Sequence, residues 1–292
     1  MKITKAIIAS AGFGTRFLPI TKTIQKEMLP VLNKPMIDYV IDDCIKAGIQ
    51  EFYIIINQHN YQILHYFREN SRLQKYLKKR SKAHLYKQVE NLHKKATFHF
   101  IRQSDKGQYG TAVPILLARD YLKDEKAFVV LMGDIYFHND SNKSEVKQMI
   151  DSFSSDSALG LISASPMDKK ELSKYGVIET KKENGKLYLK HLVEKPSKEK
   201  APSNLINTSK YIFTNKIFDV IKKQKLDSKH NELLITDSVI DLLKYGKVIV
   251  NSMKGTFLDT GSVTNWLKAN LLAAKKDPQL YKELQKFIKE SF

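Results

Sequence analysis

The sequence predicts an α/β fold on a mostly parallel mixed sheet, with a β-hairpin insertion and C-terminal helices, and three observations carry that prediction. In the first half, short apolar runs alternate with helix-period patterns, which places helices on both faces of a parallel sheet. Asn184-Gly185 stands between two strand-forming runs, a strong two-residue hairpin signal. Beyond Gly261 the apolar residues recur at helical spacing.

Ala6-Ile7-Ile8-Ala9 is continuously apolar and reads as a buried strand over 6–9. A helix around 36–47 carries Met36, Val40 and Cys44 on one side, and a second apolar run predicts a strand over 52–56. Helical patterns around 60–95 and 111–122 alternate with strands over 98–101 and 128–132. Further strands are expected over 158–161, in a hairpin over 175–193, and over 211–213 and 248–250, with a helix at about 234–244. Val263, Leu267 and Leu271 share one face of a following helix, and Asp277-Pro278 starts another carrying Leu280, Leu284, Phe287 and Ile288. The 292 residues suffice for one large domain with a subdomain, and no repeat or low-complexity linker divides them.

With 42% hydrophobic residues the chain is expected to be an ordinary soluble globular protein. No apolar stretch approaches the ~20 residues of a membrane span, and the start runs into a strand without a signal-peptide pattern, so the expected location is cytoplasmic, away from membranes. Cys44 is the only cysteine, which rules out an internal disulfide, and its helical position is a core one. The eight histidines lack metal-ligand spacing, which argues against zinc and leaves carboxylates as the expected ligands of any metal. The net charge of +18 raises nucleic-acid binding, but ten cations from Arg68 to Lys95 face only Glu69 and Glu90 in one segment. Leu73, Leu77, Leu85, Val89 and Leu92 within it suggest helices with a solvated basic side, and no nucleic-acid motif accompanies the charge.

Ala11-Gly12-Phe13-Gly14-Thr15-Arg16-Phe17-Leu18-Pro19 follows the first strand at once, with Gln25-Lys26-Glu27-Met28-Leu29-Pro30 next. Glycines there open a loop at a strand's carboxyl end, where open α/β sheets bind ligands. They let backbone N–H groups approach a phosphate, and Arg16 and Lys26 add cationic charge beside them, which makes a site for a nucleoside triphosphate. A Walker loop would need Gly-Lys-Ser/Thr, and a dinucleotide fingerprint would need glycine where Phe17 stands.

These residues resemble the signature of sugar-1-phosphate nucleotidyltransferases, and Lys26-Glu27-Met28-Leu29-Pro30 resembles in particular the bacterial UTP:glucose-1-phosphate uridylyltransferases. The resemblance runs almost end to end, through Arg102-Gln103, Gly133-Asp134, Val193-Glu194-Lys195-Pro196, Pro202-Ser203-Asn204-Leu205, Glu232-Leu233-Leu234-Ile235-Thr236-Asp237 and Asp259-Thr260-Gly261. It implies one Rossmann-like nucleotidyltransferase domain, with a nucleotide-binding half over 1–140, a sugar-phosphate half over 141–260 and a helical appendage over 261–292 suited to homo-oligomer contacts, dimer or tetramer.

The implied reaction joins UTP and glucose 1-phosphate into UDP-glucose with release of pyrophosphate. Bringing two polyanions together asks for positioning and charge neutralisation, with Mg²⁺ held by a few carboxylates. Asp134 ends an apolar strand and Asp259 precedes a helix start; by resemblance the two hold the metal, although either residue type also suits a turn or a helix cap. Resemblance makes Arg16 and Lys26 the cations on the triphosphate, Lys195 the cation on the sugar phosphate, and Glu194 an acceptor for sugar hydroxyls; on residues alone Glu194-Lys195 reads as a solvated pair leaving a hairpin. Ala11, Gly12, Gly14, Thr15, Gln103 and Gly110 fall to the nucleotide, Gln103 because an amide suits the imide edge of uracil. Gln108-Tyr109-Gly110-Thr111-Ala112, Ser209 in place of a sugar-contacting glycine, and Trp266 in place of a tyrosine depart from the uridylyltransferases. They leave open the same chemistry on dTTP or another sugar 1-phosphate. A non-catalytic sugar-nucleotide sensor would have no need of both aspartates.

Overall fold

The first apolar run becomes β1 (Lys5–Ser10), in which Ile7 and Ile8 are fully buried on opposite faces. Burial on both faces marks a central parallel strand. The computed structural model describes residues 2–139, 141, 143–154, 156–227 and 231–291. After the glycine loop, β2 (Pro30–Val31) and β3 (Lys34–Pro35) make a small hairpin that leads into α1 (Met36–Lys46). Then come β4 (Glu51–Asn57), α2 (Gln62–Tyr66), α3 (Ser71–Lys79), β5 (Thr97–Gln103), α4 (Val113–Leu117), α5 (Arg119–Leu122) and β6 (Ala127–Met132). The second half holds β7 (Ile135–His138), α6 (Glu145–Ser154), β8 (Gly160–Pro166), β9 (Gly176–Glu183), β10 (Lys186–Glu194), β11 (Leu205–Thr214) and α7 (Lys216–Lys223). It ends with α8 (Ile235–Leu242), β12 (Val248–Ser252), β13 (Thr256–Asp259), α9 (Val263–Ala274) and α10 (Pro278–Ser291).

Nine strands form one mixed sheet in the order β5-β4-β1-β6-β11-β8-β12-β10-β9. The parallel pairing that alternation predicts spans β5-β4-β1-β6, where helical crossovers join the strands. Beyond it, β11 runs antiparallel to both β6 and β8, because the chain reaches it from a hairpin and a loop without a crossover helix. The hairpin is β9–β10, with Asn184 at φ 48° and Gly185 at φ 80°, the left-handed pair that a tight primed turn requires. One face of the sheet is covered by α1, α6 and α9 and the other by α4, α7 and α8.

The long helical expectation over 60–95 resolves into α2, α3 and two 3₁₀ turns. Its basic side is solvated as expected, but its leucines do not form one apolar row: Leu92 is buried, Leu73 and Leu77 are half-buried, and Leu85 is exposed. In α9 the shared face of Val263, Leu267 and Leu271 points outward, each about half exposed, and the helix packs instead through Ala269, Ala273 and Ala274, whose small side chains allow close approach. Cys44 is buried in α1, and burial pushes its thiol up.

Candidate active site

The carboxyl ends of β1, β4, β5 and β6 lie side by side, and the glycine loop leaves the first of them. Gly14 sits at φ +65°, tight against Thr21 and Lys26, and its carbonyl accepts a hydrogen bond of 2.8 Å from Thr21 Oγ1. One 3₁₀ turn, Thr15–Phe17, then buries Phe17 against the edge of Trp266, whose indole nitrogen donates to Pro30 O at 2.8 Å. The tryptophan in place of tyrosine thus props the loop from below. Phe17 points inward, and Arg16 beside it points across the site.

Arg16 reaches Asp259 with two guanidinium contacts, at 3.0 Å and 3.3 Å. Lys26 Nζ lies 2.6 Å from Asp134 Oδ2 and 3.6 Å from Glu27 Oε1. Antiparallel pairing of β7 with β13 puts Ile135 opposite Asp259, and Thr260 donates to Asp134 O through its backbone N–H at 3.1 Å and its hydroxyl at 2.6 Å. The two aspartates therefore stand at adjoining strand ends. Ser262, not Asp259, caps α9, accepting from Asn265 N, so the Asp259 carboxylate remains turned to Arg16.

Burial by itself would raise the Asp134 carboxyl, but the Lys26 ammonium and then Arg16 hold it below the usual carboxylate range. Burial would likewise lower Lys26, and the carboxylates of Asp134 and Glu27 more than reverse this, so its ammonium stays charged. Glu27 is fully buried; burial pushes its carboxyl up to about 7, with Lys26 pulling it down and Asp134 pushing it further up. Neither Glu27 oxygen has a hydrogen-bond partner among the described residues. Among the described residues no group of three or more His, Cys, Asp or Glu side chains is placed to hold a metal. Two hard carboxylates at adjoining strand ends nevertheless fit a small divalent cation that takes its other ligands from phosphates and water.

On the nucleotide side, Ala11 is buried beside Gly12, Thr15 is exposed at the loop, and Gln103 is buried at the end of β5 with Oε1 unpartnered. An orphaned acceptor there requires an explanation, and a ligand donor is one. Gly110 has φ +125°, and a Cβ on it would lie 2.3 Å from Leu233 O and 2.5 Å from Leu233 N. Tyr109 O accepts from Leu233 N, Leu233 O accepts from Ala112 N, and Thr111 Oγ1 accepts from Ile235 N, each at 2.9 Å. A cavity of about 390 Å³ flanks the glycine loop, lined by Gly12, Phe13, Lys22, Asn57, His59 and Tyr61 among others.

The expected sugar residues form a second group. Glu194 ends β10 opposite Gly176, and Lys195 follows at φ +44°, its backbone donating to Tyr175 O at 3.1 Å. The Lys195 side chain is 61% exposed, with Glu194 Oε1 3.8 Å from its Nζ, and it makes no ion pair with the aspartates among the described residues. Ser209 adopts φ +57°, the conformation glycine favours, at a bulge where Asn207 takes its N–H at 2.9 Å and donates to Tyr211 OH at 2.6 Å. Tyr175 bridges the groups: its hydroxyl is raised by burial and then by the Asp259 charge, while its carbonyl holds Lys195. Sequence reasoning missed Glu27, Tyr175 and Asn207. Glu27 lay inside the quoted motif; the other two carried no local signal.

The profile of the nucleotidyl transferase family matches residues 5–276 of this chain. The UTP–glucose-1-phosphate uridylyltransferase of Staphylococcus epidermidis is 33% identical over 290 residues, 99% of this chain and 98% of that one. Among solved structures, a UDP-glucose pyrophosphorylase complexed with UDP-glucose superposes with a TM-score of 0.82 at 33% identity, over 94% of this chain and 100% of that one. A UTP-bound enzyme of the same name from Acinetobacter baumannii gives a TM-score of 0.85 at 26% identity, covering 100% of both chains.

Proposed function

The chain belongs to the nucleotidyl transferase family, and from that premise we propose that it transfers UMP from UTP to glucose 1-phosphate, forming UDP-glucose and pyrophosphate. The observation that carries this reading is the crossed pairing of two cations from the glycine loop region, Arg16 and Lys26, with two carboxylates, Asp259 and Asp134. A site that only bound a sugar nucleotide would have little use for both carboxylates. The relatives' names and bound nucleotides suggest the base and the sugar.

In this mechanism a phosphate oxygen of glucose 1-phosphate attacks the α-phosphorus of UTP in line, and the bond to the β-phosphate oxygen breaks as pyrophosphate leaves. The attacking oxygen is already anionic, so no general base is required. Lys26, desolvated and permanently charged, neutralises the α-phosphate as charge grows on it. Arg16 does the same toward the leaving phosphates. Mg²⁺, held by Asp134 and Asp259, would supply further neutralisation and a template for the phosphate oxygens. Lys195 fixes the acceptor phosphate, Glu194 takes sugar hydroxyls, and Gln103 reads the base through the unpartnered Oε1 and its amide. Glu27 has no contact with substrate in this scheme; its carboxyl stands behind Lys26 and holds the ammonium forward.

The halves over 1–140 and 141–260 then serve the nucleotide and the sugar phosphate, and the exposed face of Val263, Leu267 and Leu271 suits a homo-oligomer contact in the cytoplasm. A second reading, another sugar 1-phosphate, is favoured by Ser209, whose side chain occupies a left-handed position. Pyrophosphate release across a grid of nucleoside triphosphates and sugar 1-phosphates, with and without Mg²⁺, tests both readings. The highest kcat/KM is expected for UTP with glucose 1-phosphate, and no turnover with any pair would establish a sensor instead.

A further inference from the structure

Over residues 68–94, in the connection from β4 to β5, nine basic residues face only Glu69 and Glu90, whereas the whole chain has 49 basic residues against 31 acidic. All nine are exposed, and among the described residues none makes an ion pair. Exposed lysines elsewhere are matched: Lys147 by Asp151, Lys174 by Glu171, Lys190 by Glu179 and Lys244 by Asp241. The segment is therefore a local excess of positive charge and not the average surface. Its ends are tied to the body of the protein, because Phe67 stacks on Phe98 at 4.6 Å and Lys95 pairs with Asp38 and Asp42, each at 2.9 Å. It holds none of the residues assigned above to the nucleotide, the sugar phosphate or the metal.

Helical spacing decides how this charge is presented. In α3, Leu73 and Leu77 stand one turn apart and are half-buried, so Arg72, Lys75, Lys78 and Lys79 share the opposite, outward side, with Tyr76 on its flank. Arg80 and Lys82 continue it toward the 3₁₀ turn Ala83–Gln88, which packs on α3 and adds Lys87. A cavity of about 550 Å³ between the two is lined by Lys75, Lys78, His84 and Lys87, with Glu90 its one carboxylate. Among these cations Tyr76 is 57% exposed and Leu85 41%.

We propose that this surface docks on an anionic membrane leaflet, its Lys and Arg side chains on acidic headgroups and Tyr76 and Leu85 entering the interface between them. A short amphipathic helix whose outer side is polybasic suits such a leaflet. No helix among the described residues is long and apolar enough to cross a membrane, and a peripheral contact needs none. Other polyanions fit less well. Protein interfaces are depleted of lysine and close over an apolar centre, which this surface lacks. Single-stranded nucleic acids stack their bases on open aromatic rings, and the one exposed tyrosine here already carries the Arg80 guanidinium 5.8 Å from its ring centre. The phosphates of a duplex would leave the exposed leucine without a partner.

The test is cosedimentation of the full chain with vesicles of about one-third phosphatidylglycerol in phosphatidylcholine, beside vesicles of phosphatidylcholine alone. Binding is expected only to the acidic vesicles, and salt should release it by screening the charges. The variant Arg72→Gln/Lys75→Gln/Lys79→Gln is expected to bind at least about tenfold more weakly, while its uridylyl transfer without vesicles stays at the wild-type rate. Lys147→Gln/Lys174→Gln/Lys244→Gln removes the same charge elsewhere and is expected to bind as wild type. Tyr76→Ala/Leu85→Ala keeps every charge and should weaken binding severalfold. Equal weakening in the two triple variants would leave only net charge and overturn the proposal, as would unchanged binding in the first triple variant or in Tyr76→Ala/Leu85→Ala. Tighter binding to duplex DNA or polyglutamate at matched charge, lost in the first triple variant, would give the surface to a nucleic acid or an acidic protein instead.

Discussion

Lys26 Nζ and Asp134 Oδ2 lie 2.6 Å apart, joining residues 108 positions distant in the chain. The contact couples the cation of the glycine loop region to the carboxylate proposed for the metal, so a change in either alters the electrostatics of the other. Asp134→Asn and Asp259→Asn are each expected to remove Mg²⁺-dependent turnover with the fold intact. Loss of metal-held charge stabilisation is worth several kcal/mol, so a twofold fall in rate is too small to sustain the assignment. Initial rates across a Mg²⁺ titration, with circular dichroism as the control, decide it.

Lys195 is exposed and hinged at φ +44°, its ammonium tied only loosely to Glu194 at 3.8 Å. An ammonium so placed is available to the acceptor phosphate. Lys195→Ala should raise the KM for glucose 1-phosphate about ten- to a hundredfold, the worth of a charge-assisted contact of roughly 1.5–3 kcal/mol, and leave that for UTP nearly unchanged. The reverse pattern would move Lys195 to the triphosphate.

Gly110 has no room for a side chain, since a Cβ would meet Leu233 backbone atoms at 2.3 Å, 2.5 Å and 2.8 Å. Its φ of +125° adds strain for any other residue. Gly110→Ala is expected to push the 109–112 strap off the 233–235 segment, lowering the unfolding midpoint and raising the KM for UTP severalfold. A variant with wild-type stability and wild-type KM would show that the strap has no part in holding the nucleotide pocket.

In the proposed mechanism base selection falls to Gln103, which is buried with one acceptor unpartnered. An amide pairs with an imide edge that cytosine and adenine do not present in the same donor and acceptor order. Expected kcat/KM values with glucose 1-phosphate place UTP first, dTTP a measurable second, and CTP and ATP near background. A pocket that merely admits a methyl group discriminates by only about 1–3 kcal/mol. If dTTP equals or exceeds UTP, the thymidylyltransferase reading takes its place.

Acid should weaken the fold in part through Asp42. Its burial would raise the carboxyl, but hydrogen bonds from Lys34 and Lys95 hold it below the usual range. A carboxyl lowered in the folded state contributes stability above its unfolded value of about 3.9, and that contribution fades as the pH drops below it. Asp42 is part-exposed, so about 1 kcal/mol is the most to expect. Unfolding midpoints of wild type and Asp42→Asn should differ at neutral pH and converge as the pH falls below about 4. A difference that stays constant with pH would locate the effect in packing.

Local pattern carried much of the fold and the glycine-loop part of the candidate site. The buried strands, α1, the hairpin turn at Asn184-Gly185 and the glycine loop were legible because each is set by a few consecutive residues: apolar runs, left-handed turn residues, or glycines beside cations. What escaped was whatever depends on partners remote in the chain. The outward turn of Val263, Leu267 and Leu271 is one case, since helical spacing defines a face without saying whether the rest of the protein covers it.

The sequence by itself determined most element types and which residues were candidates for phosphates and metal, because spacing and side-chain chemistry are properties of short segments. Only the tertiary structure decided that β11 inserts antiparallel between β6 and β8, that Arg16 meets Asp259 across 243 positions, and that Glu27 is buried behind Lys26. Those outcomes depend on which surfaces come together when the sheet closes over its two helical layers, and burial, which fixes both charge state and partner, exists only once they have.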